Sequence, residues 1–144
     1  MLRHALVPLL LAAGCASTSS GREHLNAPGR GDTLPFSHGV LAGDLYFVAG
    51  TLGVDPESGK PPPDPEAEAR AMLDDFRKKL ELAGLGMDDL VQVQVFCSDL
   101  ALYDLFNRVY AGYFSGPTPA RAFIGSGPLL RGCRFEIQGI AARR

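Results

Sequence analysis

The chain has 144 residues with no tryptophan, only three cysteines and three histidines, and its 14 basic and 16 acidic side chains leave a formal charge of -2. Each scarcity excludes something. Without an excess of Lys and Arg there is no positive field of the kind that non-specific nucleic-acid binding requires, so no nucleic-acid partner is expected. His4 and His24 precede the expected globular part and His38 stands alone, which leaves a histidine-based nuclease without an acid and base pair. Cys15, Cys97 and Cys133 form no CxxC motif and no Cys/His cluster, so no metal site is expected. Ser126 lies in Gly125-Ser126-Gly127-Pro128, which lacks the spacing of a nucleophile elbow and reads as turn chemistry.

The N-terminus is of a different composition. Met1-Leu2-Arg3-His4 is a short basic start, the apolar run 5–13 is too short to span a bilayer, and Ala12-Ala13-Gly14-Cys15 follows at once. Residues 1–15 therefore read as an export signal, and small residues directly before a cysteine resemble a bacterial lipoprotein signal. That resemblance implies lipidation of Cys15 and a lipid-anchored protein of the bacterial cell envelope. Soluble export to the periplasm or medium, with cleavage near Ala16, and a misassigned start codon are the alternatives. Residues 16–32 carry Ser, Gly, Pro, Asn and charge without an apolar period, and are expected to be a flexible tether ahead of one domain over 33–144.

Within that domain, Ser37 to Leu41 and Leu45 to Gly50 around Ala42-Gly43-Asp44 read as a hairpin. Asp64 with Pro65 at the first helical position opens a helix that runs to Ala83, before Gly84, with Ala69, Met72, Leu73, Phe76, Leu80 and Ala83 on one face. Val91, Val93, Val95 and Cys97 alternate with Gln92, Gln94 and Phe96 as a half-buried strand. Asp99 caps a second helix to about Phe114, on which Asn107 and Tyr110 share an edge able to reach a cleft. The run from Pro119 to Ala142 reads as two strands about Gly127-Pro128. Paired as a hairpin, they place Arg121 opposite Glu136 on one face, either as a surface ion pair or as an anion clamp beside a water-holding carboxylate. Two amphipathic helices and these strands predict an α+β domain with both helices on one face of a mixed sheet. The other face, with Phe96 and Ile140, is left for copies of the same subunit.

Several segments together resemble one known family. They are Pro35-Phe36-Ser37, Val48-Ala49-Gly50, Asp55-Pro56-Glu57-Ser58-Gly59, Leu82-Ala83-Gly84-Leu85, Val95-Phe96-Cys97-Ser98-Asp99, Phe106-Asn107-Arg108-Val109-Tyr110, and Pro119-Ala120-Arg121 with Phe135-Glu136-Ile137. In this order and spacing they resemble the Rid (YjgF-like) family of reactive intermediate imine/enamine deaminases, over about Leu34 to Ala142. The resemblance implies a chorismate-mutase-like fold, a homotrimer, small-carboxylate sites in the clefts between subunits, and no cofactor. It implies that Arg121 holds a substrate carboxylate, that Glu136 orders the attacking water, and that Phe36, Gly50, Thr51, Asn107 and Phe123 line the pocket.

Phe36 stands where active members usually carry Tyr, Thr51 where Gln is frequent, Phe123 where a small residue is usual, and Gln138 where a second Glu is common. Hydrolysis of 2-imino or enamine acids to 2-keto acids and ammonia is the function so implied. The alternative is a non-catalytic envelope protein that binds small carboxylates in the same clefts.

Overall fold

The computed structural model describes residues 21–30 and 33–143. The export segment, the proposed lipidation site Cys15 and the first part of the tether lie outside the described residues. The strands are β1 (Arg22–Leu25), β2 (Gly39–Ala42), β3 (Leu45–Leu52), β4 (Leu90–Cys97), β5 (Ala120–Gly125) and β6 (Phe135–Ala142). The helices are α1 (Pro65–Glu81) and α2 (Tyr103–Ala111), with single 3-10 turns at Met87–Asp89, Leu100–Leu102 and Leu130–Gly132. All six strands form one mixed sheet in the order β1-β2-β3-β6-β4-β5. The α+β expectation is met, with one addition: β1 lies inside the stretch expected to be tether. Arg22 to Leu25 pair antiparallel with Ala42 to Gly39, so ordered structure begins before Thr33.

Local chemistry sets the helices. The Asp64 carboxylate accepts the Ala67 N–H at 3.0 Å, and Pro65 opens α1 where its missing N–H costs nothing. Ala69, Met72, Leu73, Phe76 and Leu80 are each 0 % exposed, which confirms the core stripe. The helix closes at Glu81, two residues earlier than expected. Gly84, at φ 71°, reverses the chain, so that the Leu85 N–H returns to the Leu80 carbonyl. Asp99 caps as expected, but first a 3-10 turn, through the Ala101 N–H; α2 proper is the shorter span from Tyr103.

The sheet corrects the reading of the C-terminal run. β5 and β6 do not pair with each other: β5 lies parallel to β4, with Val93 beside Arg121, and β6 lies antiparallel to both β4 and β3. β4 is inserted between them. The segment 126–134 carries a 3-10 turn with Arg131 at φ 60° and Gly132 at φ 74°, and it takes the chain across β4 instead of turning straight back. Alternation identifies a strand and its buried face, but not the neighbour it pairs with.

Two bulges set which residues face which side. On β3, Val48 pairs with Gly139 and Thr51 with Ile137, so three steps on β3 meet two on β6 and one extra residue sits at Ala49-Gly50. Tyr46 and Val48 therefore share the core face with Thr51. On β4, Leu90 pairs with Ala141 and Gln92 with Ile140, which leaves Val91 as the extra residue. Leu90 takes the core position, and Val91, expected inside with Val93 and Val95, is 47 % exposed.

Under the helices the core joins Phe76, Leu80, Val93, Val95, Phe106, Phe135 and Ile137. Cys97 and Cys133 are buried free thiols, and burial pushes both up from the ordinary thiol range. Glu68 is fully buried on α1. Its carboxylate accepts the Arg134 and Phe135 N–H groups at 2.5 and 3.2 Å and pairs with the Arg134 guanidinium at 2.5 Å. Arg134 also donates to the carbonyls of Pro62 and Pro63 at 3.1 and 2.8 Å, tying the polyproline approach to α1 onto the start of β6. The opposite sheet face is uncovered: Phe47 is 43 % exposed there, beside the cross-strand amide pair Gln138 to Gln94 at 2.6 Å.

Candidate functional site

Arg121 is the second residue of β5 and points to the helix side, where α2 brings a wall of rings against it. Its guanidinium carbon lies 4.6 Å from the Tyr110 ring centroid, 5.6 Å from Phe123, 5.8 Å from Phe106 and 5.9 Å from Tyr103. Tyr103, Phe106 and Tyr110 follow one another at three and four residues along α2 and so share a face, while Phe123 is the next residue on the same side of β5. The ring of Tyr110, the nearest of the four, favours the cation by about 0.5–1 kcal/mol. Nη2 of Arg121 donates to Oδ1 of Asn107 at 2.6 Å, which fixes the plane of the guanidinium.

No ion pair among the described residues includes Arg121. A guanidinium held by rings and one neutral amide keeps its charge and most of its five N–H donors for an outside anion. The group lines a cavity of about 440 Å³ with Asn107, Tyr110, Ala111, Thr118 and Pro119. Asn107 and Tyr110 thus share the edge that their spacing predicts.

Glu136 lies elsewhere. Phe135 packs on Phe106 under the helices, with centroids 5.1 Å apart, so its neighbour Glu136 projects from the uncovered face. Arg121 is level with Val93, and Glu136 with Phe96, three residues further along β4. Two strand spacings, about 10 Å, and the thickness of the sheet separate the two groups. The expected placement of Arg121 directly opposite Glu136 is therefore corrected.

Around Glu136 a second group of residues gathers. A Cβ on Gly50 would collide with the Glu136 carboxylate, so the glycine of the β3 bulge is what allows the carboxylate to lie against the backbone. The Ala49 N–H donates to the His38 carbonyl at 3.0 Å, which brings the segment carrying Phe36 alongside the same bulge. Phe36 is 49 % exposed. Thr51 is turned the other way. Its hydroxyl is buried under α1, donates to the Ala49 carbonyl and accepts from Nζ of Lys79 at 2.9 Å, so it supports the bulge without reaching the uncovered face.

The expected site residues thus fall into two half-sites, Arg121, Asn107 and Phe123 on the helix side and Glu136 with Gly50 at the uncovered face, whereas Thr51 joins neither and Phe36 is brought near only through its segment, its ring lying under the Arg30 guanidinium at 5.2 Å. The spacing on α2 that places Tyr103 and Phe106 against Arg121 is also that of an ordinary core stripe, which is why the cage was not evident in the sequence. Tyr110 has a buried hydroxyl with no hydrogen-bond partner among the described residues. Burial pushes it up to about 12, against 10.0 for a free tyrosine, while Arg121 pulls in the opposite direction.

The proton is therefore retained in the folded state after the unfolded chain has begun to lose it. Stability from this group is complete below pH 10 and falls as pH rises towards about 12. Tyr110→Phe keeps the ring against Arg121 and removes an unsatisfied hydroxyl. Urea melts are expected to show it equal to or up to about 1 kcal/mol more stable than the parent at pH 7, with a smaller loss above pH 10.

Comparison with known proteins identifies the family. The family profile described as endoribonuclease L-PSP matches residues 27–143. The 2-iminobutanoate/2-iminopropanoate deaminase of Escherichia coli K12 is 34 % identical over 113 residues, covering 76 % of this chain and 88 % of that protein. A RutC family protein of Pyrococcus horikoshii is 32 % identical over 108 residues, covering 74 % of this chain and 86 % of its own. Among solved structures, E. coli TdcF with bound serine superposes with a TM-score of 0.78 at 28 % identity, covering 85 % of this chain and 99 % of TdcF. The E. coli YjgF gene product gives 0.72 at 32 % identity, covering 84 % and 94 %. On a profile match across nearly the whole domain and on these relatives, the chain belongs to the Rid/YjgF family, also described as the endoribonuclease L-PSP family.

Proposed function

We propose that the protein hydrolyses reactive 2-imino and enamine acids to 2-keto acids and ammonia, in clefts between copies of the chain. The observation that carries this reading is Arg121: a planar cation without a carboxylate partner among the described residues, held by rings and Asn107 at the edge of a cavity. Such a fork receives a carboxylate through parallel hydrogen bonds and so sets the position of the adjoining imine carbon. A water held by Glu136 then adds to that carbon. Its oxygen forms the new C–O bond, one proton passes to the carboxylate, and the C=N electrons move to nitrogen, which takes up a proton. Return of the proton from Glu136 to the amino group breaks the C–N bond with its electron pair on the departing ammonia, and the hydroxyl releases its proton to solvent as the C=O closes, balancing the solvent proton that nitrogen took up. Substrate and water balance keto acid and ammonia, with no redox step and no cofactor. An enamine enters after tautomerising to the imine.

Since one chain holds Arg121 and Glu136 on opposite faces of its sheet, the proposed site takes Arg121 from one copy and Glu136 from the next. The uncovered face, with Phe47 and the half-buried Phe96 and Ile140, supplies apolar area for such an assembly, which we propose to be a homotrimer. Gly50→Ala tests the Glu136 half. The added methyl displaces the free end of a flexible side chain, so turnover is expected to fall about a hundredfold while the melting curve stays close to that of the parent.

The reading as a whole is tested by ammonia release from imines generated in the cuvette by an amino-acid oxidase, with Arg121→Ala in parallel. Acceleration by the parent alone supports it; saturable binding of 2-keto acids without turnover would replace it by a carboxylate-binding role. Export by lipidation remains the proposal for the N-terminus, and fatty-acid labelling that persists in Cys15→Ser would refute it.

A further inference from the structure

The uncovered face of the sheet is not uniformly apolar. Across β3, β6, β4 and β5 the register turns Phe47, Ile140, Phe96, Ala122 and Ile124 outward, and among the described residues of these strands Glu136 is the only charged side chain on that side. At its centre stands a pair of primary amides. Gln94 and Gln138 are directly opposite each other on β4 and β6, and Nε2 of Gln138 donates to Oε1 of Gln94 at 2.6 Å. Together with Gln92, Phe47 and Ile140 they line a cavity of about 220 Å³. A primary amide offers two N–H donors and an oxygen with two lone pairs, so the one bond between them leaves most of that capacity to outside partners. While the face meets water, water serves it. Under a second copy, only an alignment that presents complementary groups does so. Contact between apolar side chains sets no such condition, because it depends on area and not on direction. A slip of one pleat, two residues or about 7 Å, buries similar apolar area and leaves the amides unmatched.

Resting on the reading that a second copy covers this face, we infer that the Gln94–Gln138 pair fixes the register in which the copies meet. Glu136 is two residues from Gln138 on β6, so a slip that mismatches the amides displaces the carboxylate by the same distance from Arg121 of the next copy. The pair is a specificity device whose direct contribution to affinity is small, as with a single polar side chain in an otherwise apolar helix seam.

The test is sedimentation velocity of the full chain over a concentration series, which reads assembly whether or not any imine is turned over. The parent is expected to form one oligomer of defined size. Gln94→Leu strands the Gln138 amide in the covered face and is expected to raise the concentration at which the oligomer dissociates about tenfold. Gln94→Leu with Gln138→Leu removes both polar groups at similar size. This double variant is expected to associate at least as tightly as the parent, but as a mixture of sizes. Both positions are only half-buried on the sheet surface, so the fold of the chain itself is spared. A parent that stays monomeric, a double variant that keeps the single size of the parent, or losses in the single and double variants that simply add overturns the inference. A parent of one size that turns over no imine leaves it standing and removes only the deaminase reading, whereas an active parent whose double variant keeps one size removes only the register role.

Discussion

Arg121→Ala is expected to lower kcat/KM for imine hydrolysis by about a hundredfold, with little change in the urea midpoint. A charge-assisted pair contributes about 1.5–3 kcal/mol, and placement of the reacting carbon is lost along with it. Stability is largely spared, because Arg121 is on the outer strand of the sheet and has no ion pair among the described residues to strand. Among the described residues its structural losses are the ring contacts and the bond to Asn107. Arg121→Lys separates charge from shape. An ammonium retains the positive field without the planar fork, so it is expected to recover part of the binding of 2-keto acids but little of the rate. Steady-state kinetics with oxidase-generated imines, beside keto-acid titrations, resolves the two.

Glu68→Ala is expected to destabilise the domain by about 3–5 kcal/mol, a large share of the roughly 5–15 kcal/mol that holds a typical domain together. Glu68 has no exposed surface, and its carboxylate meets three N–H groups from Arg134 and Phe135. Removing it leaves a guanidinium without its counter-charge and the backbone N–H groups of Arg134 and Phe135 without this acceptor. Glu68→Gln keeps one acceptor oxygen and is expected to lie between the parent and the alanine variant. Arg134→Ala is expected to cost less than Glu68→Ala, because Arg134 keeps 30 % of its side-chain surface in water and its loss leaves Glu68 still bonded to two backbone N–H groups. Urea unfolding of the three variants at one pH orders them.

These two residues show what a sequence discloses and what it hides. Arg121 stands out through the company of Pro119 and Ala120 and through the Phe135-Glu136-Ile137 strand after it. Glu68 does not stand out at all. A carboxylate in an amphipathic helix normally faces water, and its partners here lie 66 and 67 residues away, two of them backbone N–H groups that any residue but proline would carry.

The same distinction runs through the fold. α1 was legible because its three- and four-residue apolar steps, Asp64 and Pro65 are all local signals. The exchange of neighbours among β4, β5 and β6 was not, because pairing depends on the path of segment 126–134 and leaves no periodic trace. Bulges at Ala49-Gly50 and Val91 shift a strand by one residue, which reads in sequence as an ordinary lapse in alternation. The bulge at Gly50 is also what turns Thr51 away from the uncovered face and lets Glu136 lie against the backbone.

The proposed working site joins Arg121 of one copy to Glu136 of another. It is tested most directly by complementation. Arg121→Ala and Glu136→Ala proteins, each inactive alone, are dissociated together, reassembled, and assayed for ammonia release. Activity is expected to reappear in the mixed assemblies, since some clefts then pair an intact Arg121 with an intact Glu136. Mixed assemblies that form, as judged by differently tagged subunits, and remain as inactive as either parent would contradict it.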